Sequence, residues 1–171
     1  MHGLEFYENV FEDAFCKFLL RESLETLRSN QYVWKSNLQW NPPIVKASTP
    51  VLLRHYNDLL KKAILDQLLK KEIIKHKEYT VMNYVWTRLS YIPWHNDPHT
   101  SSAITVYLNE KWHKDWGGLF LFMERDSEQI HGYIPRFNSA VKNESNIMHS
   151  TTIISSDAET PRITIQMFDA R

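Results

Sequence analysis

The chain has a single cysteine, Cys16, so no disulfide can form within its 171 residues. That usage fits a reducing compartment, and a cytoplasmic location is expected. No apolar stretch approaches the roughly 20 residues that a membrane-spanning helix needs. The segment Met1-His2-Gly3-Leu4-Glu5 lacks a basic region followed by an apolar run, so neither a signal peptide nor a membrane partner is expected. Charge of one sign is missing too: 20 basic residues balance 20 acidic ones. Without a net positive field, nucleic acid is not an expected partner. Glycine is scarce, with four in all, and two of these are adjacent, Gly117 and Gly118. There is no repeat and no low-complexity tract.

What is present is globular in character. Hydrophobic residues make up 43% of the chain, aromatics 13% and charged residues 23%. The length fits one domain over 1–171 with a sizeable core. Apolar residues Phe15, Phe18, Leu19, Leu24 and Leu27 recur near helical spacing over 12–29, and Glu12 and Asp13 suit a helix start. From 37 to 50, Pro42-Pro43 and Pro50 predict a loop with one edge strand. From Pro50 to Lys77 the positions Leu52, Leu53, Leu59, Leu60, Ile64, Leu65, Leu68, Leu69, Ile73 and Ile74 predict one long helix or two broken ones. Pro50 would occupy the first turn.

After residue 78 the pattern changes to short segments rich in Val, Ile, Thr and aromatics: 79–89, 103–108, 118–122, 132–135, 139–141, 151–155 and 163–168. Asn, Asp, Gly and Pro separate them, as in a small β-sandwich or barrel. The expected class is therefore mainly β with N-terminal α-helices (α+β), with 1–77 as helical support for a β core over 78–171.

The segment Trp94-His95-Asn96-Asp97-Pro98 holds a His-x-Asp pair. On an extended chain, residues two apart point to one side, so His95 and Asp97 can grip one metal ion. A third ligand must come from elsewhere; His149 starts a later strand-like run, and His131 and His113 compete for the role. Two imidazoles and one carboxylate on one face of an octahedron leave three positions open, the arrangement of non-haem Fe(II) oxygenases. The pair alone is also compatible with a surface turn, since Asn-Asp-Pro is turn chemistry.

The order of features around the pair is more specific. After it come Ala103-Ile104-Thr105-Val106-Tyr107-Leu108-Asn109, Trp116-Gly117-Gly118-Leu119-Phe120, then His149, then Pro161-Arg162-Ile163-Thr164-Ile165. This succession, over about residues 79–171, resembles the Fe(II)/2-oxoglutarate-dependent dioxygenase superfamily, most closely its prolyl 4-hydroxylase-like branch. The resemblance implies a double-stranded β-helix (jelly roll, cupin-like). It implies Fe(II) on His95, Asp97 and His149, with 2-oxoglutarate and O2 as co-substrates and ascorbate as a supporting reductant. Arg162 matches the position that holds the far carboxylate of 2-oxoglutarate, which suits its planar fork. Tyr107 matches a tyrosine on the same carboxylate, Thr164 would add a hydroxyl, and Tyr84 is a looser match whose place Trp86 could equally take. The implied reaction is hydroxylation of an unactivated C–H, of a prolyl residue in a peptide or of a free amino acid or small metabolite, releasing succinate and CO2. No general base is required, and no catalytic residue beyond the metal ligands is expected.

The chain departs from the branch in places. The spacing from His149 to Arg162 is long, with 155–160 as an inserted loop. Collagen-type enzymes carry lysine where Arg162 stands. Thr100 falls near a substrate-contacting arginine of the hypoxia-factor enzymes, which argues against their substrate. Asp97 argues against halogenation, and Thr164 stands where nucleic-acid demethylases carry asparagine. Two other readings compete: a cupin-type metalloenzyme that does not use 2-oxoglutarate, and an inactive jelly-roll binding module. Substrate contacts are expected from Trp94, Asn96, His99 and the aromatic-basic stretch 111–116. Oligomeric state is not legible.

Overall fold

The computed structural model describes residues 3–29, 34–39, 48–124 and 128–169, without side chains for 35–39 and 48–50. In chain order the elements are β1 (Leu4–Glu8), α1 (Asp13–Ser29), β2 (Lys35–Gln39), β3 (Ser48–His55), α2 (Asp58–Lys70), β4 (Tyr79–Trp86), β5 (Ile92–His95) and β6 (Ser102–Tyr107). A 3₁₀ turn (Lys114–Trp116) precedes β7 (Phe120–Met123), β8 (Ile130–Tyr133), β9 (Ser139–Glu144), β10 (His149–Thr151) and β11 (Arg162–Asp169). The strands form two antiparallel sheets: a major one ordered β1-β9-β6-β11-β4-β3-β2 and a minor one ordered β5-β10-β7-β8. The expected mainly β jelly roll with helices on one face is the architecture observed.

Period-2 alternation explains how one strand serves two purposes. On β11, Ile163, Ile165 and Met167 face outward and pack with Val81, Val85, Ile104, Val106 and the helix residues Leu19, Ile64 and Leu68. The alternate residues Arg162, Gln166 and Phe168 line a cavity between the sheets. β11 and β6 are buried almost throughout, so the polar residues that alternate along β11 face the cavity and not bulk solvent.

Two expectations are corrected. Residues 50–57 and 71–77 are not helical. Val51, Leu52 and Leu53 belong to β3, which pairs with β4 on one side and β2 on the other. α2 ends at Lys70, so Ile73 and Ile74 join the core from beyond it. A short apolar run flanked by strands is indistinguishable by period from a buried helix turn. Pro50 sits in β3 where pairing with β2 is irregular, not in a helix start. The true start is Asn57, whose side chain caps α2 by accepting from the Leu60 N–H at 2.9 Å. Residues 1–77 therefore contribute three strands to the major sheet as well as the two helices. The predicted edge strand is β2; the Pro42-Pro43 loop lies outside the described residues. Among the described residues, no helix is long and apolar enough to cross a membrane.

Candidate metal centre

β5 and β10 are neighbours in the minor sheet, and their register sets His95 directly opposite His149. Asp97 follows two residues after His95, in a turn closed by the Thr100 N–H donating to the Asp97 carbonyl at 3.3 Å. The three side chains converge, with one ligand atom from each lying within 4.8 Å of the others. His95 Nε2 is 3.9 Å from one Asp97 oxygen, and His149 Nε2 is 3.5 Å from the other.

Both imidazoles are oriented by backbone. His95 Nδ1 lies 2.8 Å from the Pro93 carbonyl and His149 Nδ1 lies 2.8 Å from the Ile147 carbonyl. A carbonyl only accepts, so each Nδ1 carries a proton, and each Nε2 is the nitrogen turned toward Asp97. Burial, then the neighbouring His149, push His95 down to about 4, against the Pro93 carbonyl and Asp97, which raise it. His95 is therefore neutral near pH 7, the form that ligates metal. The alternative third ligands are set apart: His113 pairs with Asp115 at 3.4 Å and His131 with Glu124 at 3.7 Å, and neither lines the cavity.

The triad opens on a cavity of about 240 Å³. Thr151 and Ile92 pair on the Arg162 side of the triad, because the chain runs on from His149 to Ile154, which bridges Gly117. A Cβ on Gly118 would sit 3.2 Å from Arg162 Cδ, so this glycine leaves room for the arginine stem. Arg162 is 1% exposed, and its Nε and Nη1 have no hydrogen-bond partner. Its guanidinium carbon lies 5.0 Å from the Tyr107 ring centre and 5.2 Å from that of Trp86. Burial lowers the Arg162 pKa, with Tyr107 opposing. Among the described residues it has no carboxylate partner, and a buried cation in that condition is costly until an anion reaches it.

The other sequence candidates divide. Tyr84 lines the cavity, its hydroxyl pKa raised by burial and then by the Asp97 carboxylate. Tyr107 is buried beside Arg162 but does not line the cavity; its hydroxyl has no hydrogen-bond partner, and burial pushes it up to about 12 while Arg162 pulls it back. Thr164 is fully buried and does not line the cavity either. Its hydroxyl accepts from the Trp86 indole N–H at 2.9 Å and from Gln166 Nε2 at 3.4 Å, so it steadies Trp86 against Arg162. His99 lines the cavity; Trp94 and Asn96 do not. In the stretch 111–116, Trp112 and Trp116 pack against Tyr84, Trp86, Ile92 and Ile154 at the Arg162 end and do not line the cavity. Sequence reading missed Thr151, Gln166, Phe168 and Asn143 as lining residues. The even spacing from His149 to Thr151 and from Arg162 to Gln166 and Phe168 was the available signal.

The sequence profile of the 2OG-Fe(II) oxygenase superfamily matches residues 76–168, more than half of the chain and inclusive of the triad and Arg162. The chain belongs to that superfamily. It is a 2-oxoglutarate-dependent oxygenase, and the family implies Fe(II) and 2-oxoglutarate as its cofactor and co-substrate. Comparison with functionally curated proteins finds no sequence relative. Solved structures share this oxygenase's fold. A prolyl-4-hydroxylase from Pseudomonas putida superposes with a TM-score of 0.76 at 13% identity, covering 100% of this chain and 94% of its own. A prolyl hydroxylase from Trichoplax adhaerens, in complex with a hypoxia inducible factor oxygen degradation domain peptide fragment, gives 0.76 at 14%, covering 98% and 83%. A 2OG-Fe(II) oxygenase family oxidoreductase from Burkholderia pseudomallei gives 0.67 at 12%, covering 97% and 84%.

Proposed function

We propose that this oxygenase hydroxylates an unactivated C–H bond, with His95, Asp97 and His149 holding Fe(II) and Arg162 holding the far carboxylate of 2-oxoglutarate. The observation that carries the reading is that one cavity joins the triad to a buried, carboxylate-free arginine. Two imidazoles and a carboxylate are the donor set that suits Fe(II) with open positions. The unpartnered N–H groups of Arg162 suit a carboxylate brought by a ligand.

When bound, iron and 2-oxoglutarate supply the oxidising chemistry: one oxygen atom of O2 enters the substrate and the other enters succinate, as CO2 leaves. The protein's own residues bind and orient. The Pro93 and Ile147 carbonyls keep both imidazoles in the ligating tautomer. Trp86 and Tyr107 flank the guanidinium, and Ile92, Phe120 and Thr151 wall the space between it and the triad. Ascorbate would serve as a supporting reductant. The substrate proposed is a prolyl residue in a peptide, as in the complex of the Trichoplax enzyme, or a free amino acid or small metabolite.

Anaerobic absorption spectroscopy tests the reading. A weak visible band should form only with Fe(II) and 2-oxoglutarate together, and Arg162→Ala should abolish it at ordinary co-substrate concentration. A band that forms with Fe(II) alone, or that survives Arg162→Ala unchanged, would remove the assignment of Arg162.

A further inference from the structure

The cavity's lining runs along β11 well beyond Arg162. On β11, Arg162 and Phe168 both line it, and six residues of strand span about 20 Å. A five-carbon dicarboxylate reaching from Arg162 to the triad leaves the Phe168 half free. The register identifies the walls of that half. Phe168 lies opposite Ala103, and Ala103 lies opposite Asn143; one step back toward Arg162, Gln166 lies opposite Thr105. All five line the cavity, with His99 and Thr100.

Most of the polar groups here are already engaged. The Thr105 hydroxyl donates to Gln166 Oε1 at 2.9 Å, and Gln166 Nε2 donates to Thr164 at 3.4 Å. The Thr100 hydroxyl faces the Asp97 carbonyl at 3.4 Å. Asn143 differs: it is 2% exposed, and its Nδ2 has no hydrogen-bond partner. A buried amide donor without an acceptor is disfavoured until a ligand provides one. Among the described residues on this half, no carboxylate, lysine or arginine stands ready for a charged group; His99 is the one ionisable side chain outside the triad.

We propose that this half is where substrate is read, and that Asn143 is a specificity residue that donates to an uncharged carbonyl oxygen of an acylated, amide-type substrate. Ala103 and Phe168 receive the apolar body beside that carbonyl. A free amino acid would bring an ammonium and a carboxylate into a slot with no counter-charge, a costly desolvation. The inference deepens the hydroxylase reading above, rests on it, and chooses between its two substrate classes.

The test uses the protein loaded with Fe(II) and 2-oxoglutarate under argon. N-acetyl amino-acid amides and the corresponding free amino acids, proline included, are titrated while the visible band is followed for the shift that substrate causes. At least one neutral amide should shift the band, with its free amino acid needing at least about tenfold more. In Asn143→Leu the half-saturating amide concentration should rise about tenfold, the loss of one good hydrogen bond. Free amino acids acting as well as the amides, no compound acting, or an unchanged Asn143→Leu response would each overturn the proposal. Failure of the band to form at all would condemn the cofactor reading beneath it, a distinct result.

Discussion

Asn109 holds the backbone on both sides of Arg162. Its Nδ2 donates to the Pro161 carbonyl at 2.9 Å and its Oδ1 accepts from the Ile163 N–H at 2.7 Å. The turn after β6 is thereby stitched to the start of β11, and the position of the guanidinium depends on a side chain that does not line the cavity. Ala158, buried within the 155–160 loop, adds a second tie, its carbonyl accepting from Arg88 Nε at 3.0 Å. The long 155–160 segment is therefore packed onto the body.

Asn109→Ala should weaken 2-oxoglutarate binding roughly tenfold while leaving Fe(II) affinity close to that of the parent, and should cost about 1–3 kcal/mol of stability. Anaerobic titration of the visible band, beside a urea melt, reads both quantities. Unchanged 2-oxoglutarate affinity would show that Arg162 is positioned without Asn109.

Metal should stabilise the folded chain. A divalent ion at one hundred times its Kd adds about 2.7 kcal/mol by mass action, so Zn(II) should raise Tm in the parent. His149→Ala should lose most of that rise, and chelator should reverse it in the parent. An equal rise in His149→Ala would place the ion elsewhere.

Gly117 and Gly132 make a matched pair. A Cβ at Gly117 would lie 2.0 Å from the Ile153 carbonyl oxygen, at φ +69, whereas one at Gly132 meets only the tip of Leu121 at 3.3 Å. Gly117→Ala should cost about 2 kcal/mol or more and Gly132→Ala well under 1 kcal/mol, as read from urea midpoints. Equal costs would mean that the β7–β10 corner relaxes freely.

Cys16 sets a pH dependence. Burial, then Asp13, push its thiol from an ordinary value near 9 up to about 12. The folded chain holds this proton more tightly than the unfolded one, so the contribution is full below pH 9 and is lost as pH rises from 9 toward 12. Stability should fall across that window, less steeply in Cys16→Ala. Iodoacetamide at pH 8.5 should label the protein in urea and leave the native protein unlabelled over the same interval; rapid native labelling would contradict the burial.

Much of the β half could be read in the sequence because its strands are bounded by Asn, Asp, Gly and Pro and are rich in β-formers. The failure at 50–57 has a specific cause. Val51, Leu52 and Leu53 lie in an interior strand of the major sheet, and an apolar run there carries no period of its own. The signal that would have separated it from α2 was Asn57, a cap residue three positions before Leu60.

For the site, local chemistry was legible and mutual placement was not. His-x-Asp is a local geometry, and Arg162 was reached by its order among family motifs. That Thr164 serves Trp86, that Trp112 and Trp116 pack at the Arg162 end, and that Asn143 lines the far half depends on pairing between strands distant in the chain. The sequence by itself determined the superfamily, the residue types for the centre and the alternation that puts core on one face of β11 and function on the other. Only the tertiary structure decided which side chains share a wall. Cross-strand register is set by the packing of the whole sheet, whereas spacing along one strand is set by the backbone alone.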